Sequence, residues 1–134
     1  MEIKHFLLAV VVAGIGASLA DWLFAGILFH DKYNAYPEVW RPSLRGGDQG
    51  PIAWSMALGF LSVAAFLAAC GIFRVHGYSA TLELAGLVWL IVPVPLIVTN
   101  ALFMKIHPLI AVSHSLGWLA KLLVAALSAG WLLA

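Results

Sequence analysis

The sequence predicts an all-α integral membrane protein, an antiparallel four-transmembrane-helix bundle. Three observations predict it: the balance of residue types, four separated apolar runs of spanning length, and the scarcity of charge inside those runs. Of 134 residues, 63% are hydrophobic and 10% are charged, and the mean hydropathy is +1.01. A soluble domain of this size still exposes about a third of the surface of its unfolded chain, which so few charges could not cover. The solvent for most of this surface is expected to be lipid.

The apolar runs cover 6–29, 52–73, 84–104 and 109–134. Each reaches the roughly 20 residues that a helix needs to cross a ~30 Å hydrocarbon core. Backbone amides at that depth find no water and must bond within their own segment, which a helix achieves and a lone strand does not. The first run follows Lys4 and carries Ser18-Leu19-Ala20 before Asp21, a pattern that secretory signals share. The run continues through Trp22, Leu23 and Phe24 to Phe29, so an uncleaved first span is expected.

A long polar loop, 30–51, follows the first span, whereas the later links at 74–83 and 105–108 are short and set neighbouring helices antiparallel. His107-Pro108 reads as the start of the fourth helix, with proline at its first position. Trp22, Trp40, Trp54, Trp118, Trp131, Tyr33, Tyr36 and Tyr78 suit the headgroup zones in several cases. No internal repeat is visible, and 1–134 reads as a single domain.

Seven basic against six acidic residues leave no basic excess for nucleic acid. The lone cysteine, Cys70, lies in an apolar run where a thiol behaves as a small hydrophobe, and neither a disulfide nor a redox pair can form within the chain. Lys32, Arg41, Arg45 and Lys105 lie on the face of the long loop and the tight turn, against Lys4 and Arg74 opposite. By the positive-inside tendency the long loop is expected in the cytoplasm, with both termini across the membrane.

Ionisable groups inside a span cost roughly 2.5 to 3.5 kcal/mol at its centre, so each asks for a reason. Asp21 and Lys121 are the two clear cases. At 1.5 Å per residue, Asp21 lies ~13 Å, Lys121 ~20 Å, His114 ~9 Å and Asn100 ~7 Å in from the long-loop face. Asp21 continues the row Ala13, Ala17, Asp21, Ala25, whose small residues let another helix approach closely. On the fourth span His107, His114 and Lys121 recur every seven residues, with Gly117, Ala125 and Ser128 in the same stripe. Ser55, Gly59 and Ser62 offer matching small or polar positions on the second span. Pro93 and Pro95 are expected to bend the third span and free backbone carbonyls to line a cavity.

These placements predict an interior pocket built from Asp21, Asn100, His114 and Lys121, opening toward a loop that carries His30, Asp31, Tyr33 and Glu38. The plain structural alternative is an Asp21–Lys121 interhelical pair with Asn100 and His114 as packing-level hydrogen bonders, since such contacts average only ~0.6 kcal/mol and are common between spanning helices. His30, Asp31, His107 and His114 could supply metal ligands, but no H-E-x-x-H, E-x-x-H or paired cysteine spacing is present, and no metal is expected. Ser113 and His114 point about 100° apart on a helix and cannot act as a nucleophile with its base. No P-loop or dinucleotide motif is present, and no cofactor is expected.

Three function classes fit these residues. The first is the binding or movement of a small, largely apolar molecule, with Asp21, Asn100, His114, Lys121, His30, Asp31 and Tyr33 as its lining. A carrier of this size would have to form a homodimer. The second is a membrane-embedded enzyme using Asp21 or His114 as acid or base on a lipophilic substrate. The third is a structural or assembly subunit, which needs no pocket.

The stretch Thr99-Asn100-Ala101-Leu102-Phe103-Met104-Lys105-Ile106-His107-Pro108, followed by Ser113-His114-Ser115-Leu116-Gly117, resembles the second half of a family of small bacterial four-span membrane proteins, domain of unknown function seventeen-sixty-one. The first half is similar too, with Trp22-Leu23-Phe24-Ala25-Gly26 and the aromatic and basic segment from Phe29-His30-Asp31-Lys32-Tyr33 through Trp40. The resemblance implies four spans in a bacterial inner membrane and brings no activity. Asp21 and Lys121 stand outside that pattern.

Overall fold

The computed structural model describes residues 2–41 and 47–132; Arg45 and the last two residues of the fourth apolar run lie outside the described residues. Helix α1 (Ile3–Asp21) continues directly into a π-helical segment (Trp22–Leu28) and is followed by two 3₁₀ turns (His30–Asn34 and Pro37–Val39). Helices α2 (Gln49–Ile72), α3 (Tyr78–Ile91), α4 (Pro93–Phe103) and α5 (Pro108–Leu132) complete the chain. α3 and α4 are two halves of one span, giving four apolar helical stretches long enough to cross a membrane. There is no strand among the described residues. The fold is an all-α, multi-pass membrane bundle.

Three spans begin earlier than hydropathy suggests, at Ile3, Gln49 and Tyr78 in place of 6, 52 and 84. Polar residues can sit on helical turns that project beyond the hydrocarbon. At the start of α3, the Thr81 hydroxyl donates to the Gly77 carbonyl (2.9 Å) and Ser79 donates to Glu83 (3.0 Å). Gly77, at φ +79°, turns the chain into that helix. The link from α2 is therefore much shorter than the sequence suggests. α2 ends with the Val75 N–H on the Cys70 carbonyl (2.9 Å) and the Arg74 N–H on that of Gly71 (3.4 Å). That is a Schellman ending, with Arg74 in the left-handed position at φ 53°.

The break between α3 and α4 falls where the prolines predict it. Pro93 and Pro95 lack an N–H and cannot bond the carbonyls of Trp89 and Ile91, and Val92 between the halves departs from helical geometry (φ −116°, ψ −69°). The Trp89 indole N–H donates to the Ser115 carbonyl (2.8 Å), tying the third span to α5 beside the break.

α5 is the axis of the bundle and packs against every other span, whereas α2 and α3, neighbours in sequence, do not pack along their lengths. The packing is unequal along the membrane normal. The core consists of Ala9, Ala13 and Ala17 of α1, Val63, Phe66, Leu67 and Cys70 of α2, Ala85 of α3, and Leu122, Ala125, Ala126 and Ala129 of α5. Nearly all of these lie in the half of the bundle nearer the termini. Glycines close it further: a Cβ on Gly14 would lie 2.2 Å from the Phe60 ring, and one on Gly130 2.7 Å from Tyr78. In the loop-side half α2 stands apart, whereas the π segment and α4 stay packed on α5. Residues 49–58 of α2 are exposed on all sides, and the π segment has no buried residue.

Candidate functional site: a cleft at the loop side of the bundle

The loop that follows the first span covers the start of α5 and the turn before it. The loop returns over the start of α5, where the Tyr33 hydroxyl lies 3.3 Å from Ser113 Oγ and 3.2 Å from His114 Nε2. The Trp40 indole N–H donates to the Tyr33 carbonyl (2.6 Å), and the two rings stack with centroids 5.8 Å apart. Glu38 pairs with Lys105 of the turn between α4 and α5, and the Lys105 ammonium also sits 4.9 Å over the Tyr36 ring. Tyr36 in turn lies 6.3 Å from the His107 ring.

A cleft of about 300 Å³ lies between this folded loop and the helices. The loop supplies Tyr33, Tyr36, Val39 and Trp40; α4 supplies Ile97 and Asn100; the turn supplies Lys105, Ile106 and His107; and α5 supplies Ile110, Ala111, His114 and Trp118. Aromatic and aliphatic walls dominate, with few hydrogen-bonding groups among them, which is the make-up of sites for small organic molecules.

Electrostatically the lining is close to neutral. The mutual hydrogen bond of Glu38 and Lys105 lowers the acid and raises the base, so both stay charged and cancel. Tyr33 is raised from its usual value chiefly by burial, opposed by its contact with Ser113 and reinforced by the negative charge of Asp21. Its phenol therefore stays protonated at neutral pH and has one proton to donate to Ser113 or His114. His107 caps α5: its Nδ1 accepts the Leu109 N–H (3.1 Å), so the neutral ring carries its proton on Nε2.

The ion pair expected inside the membrane is present but stands behind the cleft. Lys121 Nζ lies 2.7 Å from Asp21 Oδ2, with the lysine side chain 11% and the aspartate side chain 35% exposed. Gly117 lies beside this contact, and a Cβ there would stand in ordinary van der Waals contact with Asp21 Oδ1, at 3.6 Å. The Lys121 ammonium sits 4.8 Å over the Trp118 ring, and Trp118 lines the cleft. One aromatic ring thus joins the two polar groupings.

The candidate residues consequently divide. Asn100, His114 and Tyr33 line the cleft, whereas Asp21 and Lys121 pair with each other and do not. His30 and Asp31 lie exposed on the first 3₁₀ turn and do not line it either. The carbonyls freed by Pro93 and Pro95 are likewise absent from the lining, which α4 provides through Ile97 and Asn100. No group of three or more histidine, cysteine or acidic residues is spaced to hold a metal among the described residues.

Sequence reasoning missed the aromatic side of the site, namely Tyr36, Trp40 and Trp118, and the backing by Ser113. A signal for part of it exists on α5, where His107, Ala111, His114 and Trp118 follow helical 4-3-4 spacing and form one stripe. The stripe through Gly117, Lys121, Ala125 and Ser128 is buried and lies beside it. No family model, curated protein or solved structure matches the chain.

Proposed function

We propose that this integral membrane protein binds a small, largely apolar molecule in the loop-side cleft, with its polar end among Asn100, His107, His114 and Tyr33. The observation that carries the reading is the cleft itself: four aromatic rings and several aliphatic side chains enclose a few hydrogen-bonding groups at the edge of a bundle built to sit in lipid. The volume, about 300 Å³, is at the small end of ligand sites, so it suits a head of one ring or a short chain and not an entire lipid. Asp21 is engaged by Lys121 and acts as part of the frame. With Lys32, Arg41 and Lys105 on its side, the cleft would face the cytoplasm of a bacterial cell.

The test is photolabelling of the protein in lipid nanodiscs with an alkyl diazirine probe, followed by mapping of the labelled peptides. Saturable labelling concentrated on 33–41 and 105–118 is expected, and Ala111→Trp, which fills the cleft from within, should abolish it without lowering the melting temperature. Labelling spread evenly over the lipid-facing residues would reject the reading.

A further inference from the structure

Which molecule the cleft would hold can be narrowed from the groups it offers, on the reading that the cleft is a binding site. We propose that its occupant is a neutral lipophile with a flat, carbonyl-bearing ring as its head, of the quinone type, and an apolar tail that leaves toward the bilayer. Three properties of the lining converge on this class.

The first is charge. Lys105 is the lining's ammonium and is already paired with Glu38. The other ammonium nearby, on Lys121, is paired with Asp21. A charged head would have to displace one of these pairs or stay uncompensated in a largely apolar cleft, and either is costly.

The second is the balance of donors and acceptors. The Asn100 side-chain amide lines the cleft and can donate through its N–H₂ group as well as accept through its carbonyl. His107, with Nδ1 occupied by the Leu109 N–H, offers a donor at Nε2. With Nε2 of His114 taken up by Tyr33, its Nδ1 remains as a further polar position. Two groups able to donate, supplied by two different elements, α4 and the cap of α5, suit a ligand that presents more than one acceptor. Carbonyl oxygens on one ring meet that need without adding charge.

The third is shape. Tyr33 and Trp40 are stacked with their planes 23° apart, and Tyr36 and Trp118 add two more ring surfaces. Flat walls favour a flat head, because offset stacking of π-systems adds to the gain from burial alone. The cleft is open on one side and not an enclosed cavity, so a tail can leave it toward the bilayer.

The experiment is titration of the protein in lipid nanodiscs with four probes of similar chain length: decylubiquinone, decylbenzene, laurate and dodecylamine. Binding is read by calorimetry and by the shift in melting temperature. Decylubiquinone is expected to bind saturably and at least tenfold more tightly than decylbenzene, which keeps the ring and tail but lacks the carbonyls. Asn100→Leu should reduce that preference about tenfold; Asn100→Ala serves the same purpose if the leucine variant does not fold. Equal binding of decylbenzene would overturn the carbonyl head and leave the cleft standing as an apolar site. Tighter binding of laurate or dodecylamine would overturn the neutral head. Failure of all four to bind would overturn the cleft reading itself.

Discussion

Removing Asp21 alone should cost this protein more than removing the pair it forms with Lys121. At 2.7 Å and an effective dielectric constant of about 20, the attraction between the two groups is about 6 kcal/mol before desolvation is counted. Desolvation of both groups cancels most of that gain, so the net worth of the pair is small. The asymmetry appears when one partner is lost. Lys121 is 11% exposed and would be stranded as a buried ammonium, so Asp21→Ala is expected to destabilise by about 3 kcal/mol. Asp21 is 35% exposed and less deeply buried than Lys121, so Lys121→Met is expected to cost less, about 1.5 kcal/mol. The double variant removes both charges and keeps an apolar side chain against Trp118, and it should come within about 1 kcal/mol of the unaltered protein. Unfolding in mixed detergent micelles, followed by circular dichroism, measures all four proteins. The coupling of roughly 3.5 kcal/mol or more in this cycle is several times the ~0.6 kcal/mol average for polar contacts between spanning helices. Single-variant effects that add to within about 0.5 kcal/mol would show that the two groups do not act as a pair and would refute the reasoning.

Two further outcomes follow from the packing and from the loop. Gly14→Ala should destabilise by about 1–3 kcal/mol, because its methyl would meet the Phe60 ring at 2.2 Å, and Phe60→Leu should recover part of that loss in a detergent melt. Tyr33 has a folded-state pKa above its ordinary value of 10.0, so the folded protein holds the phenol proton more tightly than the unfolded chain. Its stabilisation is therefore complete below pH 10 and is lost as pH rises through the folded value. Melts at pH 9 and pH 11 should show a drop that is smaller in Tyr33→Phe than in the unaltered protein, and equal drops would exclude this role for Tyr33.

The spans, the small-residue row of α1 and the break at Pro93 were legible because each follows from a local rule: run length, helical period and the missing proline N–H. Ala13 and Ala17 are buried as the row requires, and Asp21 ends it where the backbone widens into the π segment. That widening is not visible in the residues themselves, and it is one reason the row does not continue to a buried Ala25. The site was legible in its polar members and not in its walls. A seven-residue spacing groups His107, His114 and Lys121, yet a straight helix drifts ~20° per heptad, and the neighbouring buried stripe lies close enough to claim Lys121. The stripe that lines the cleft passes instead through Ala111 and Trp118. The contribution of Tyr36 and Trp40 depends on how the long loop folds back, and that depends on contacts with α5 and the turn after α4, far away in sequence.

The departures from a regular bundle gather on one side of the membrane, and they have a common consequence. On the side of the termini, alanines and glycines bring α1, α2 and α5 into close contact, which leaves no space for a ligand. On the side of the long loop, the first span widens into a π-helix, the third is broken at Val92, and the first turns of α2 stand apart. A bundle packed equally at both ends would hide Asn100 and His114 between helices as simple cross-links. Because the loop folds back over the start of α5, the two residues face a cleft instead, and the loop supplies its aromatic walls. The stability needed to hold this opening resides in the tightly packed half. Substitutions that loosen the alanine and glycine contacts should therefore lower stability without altering the lining, whereas changes at Asn100 should alter the cleft at little cost to the fold.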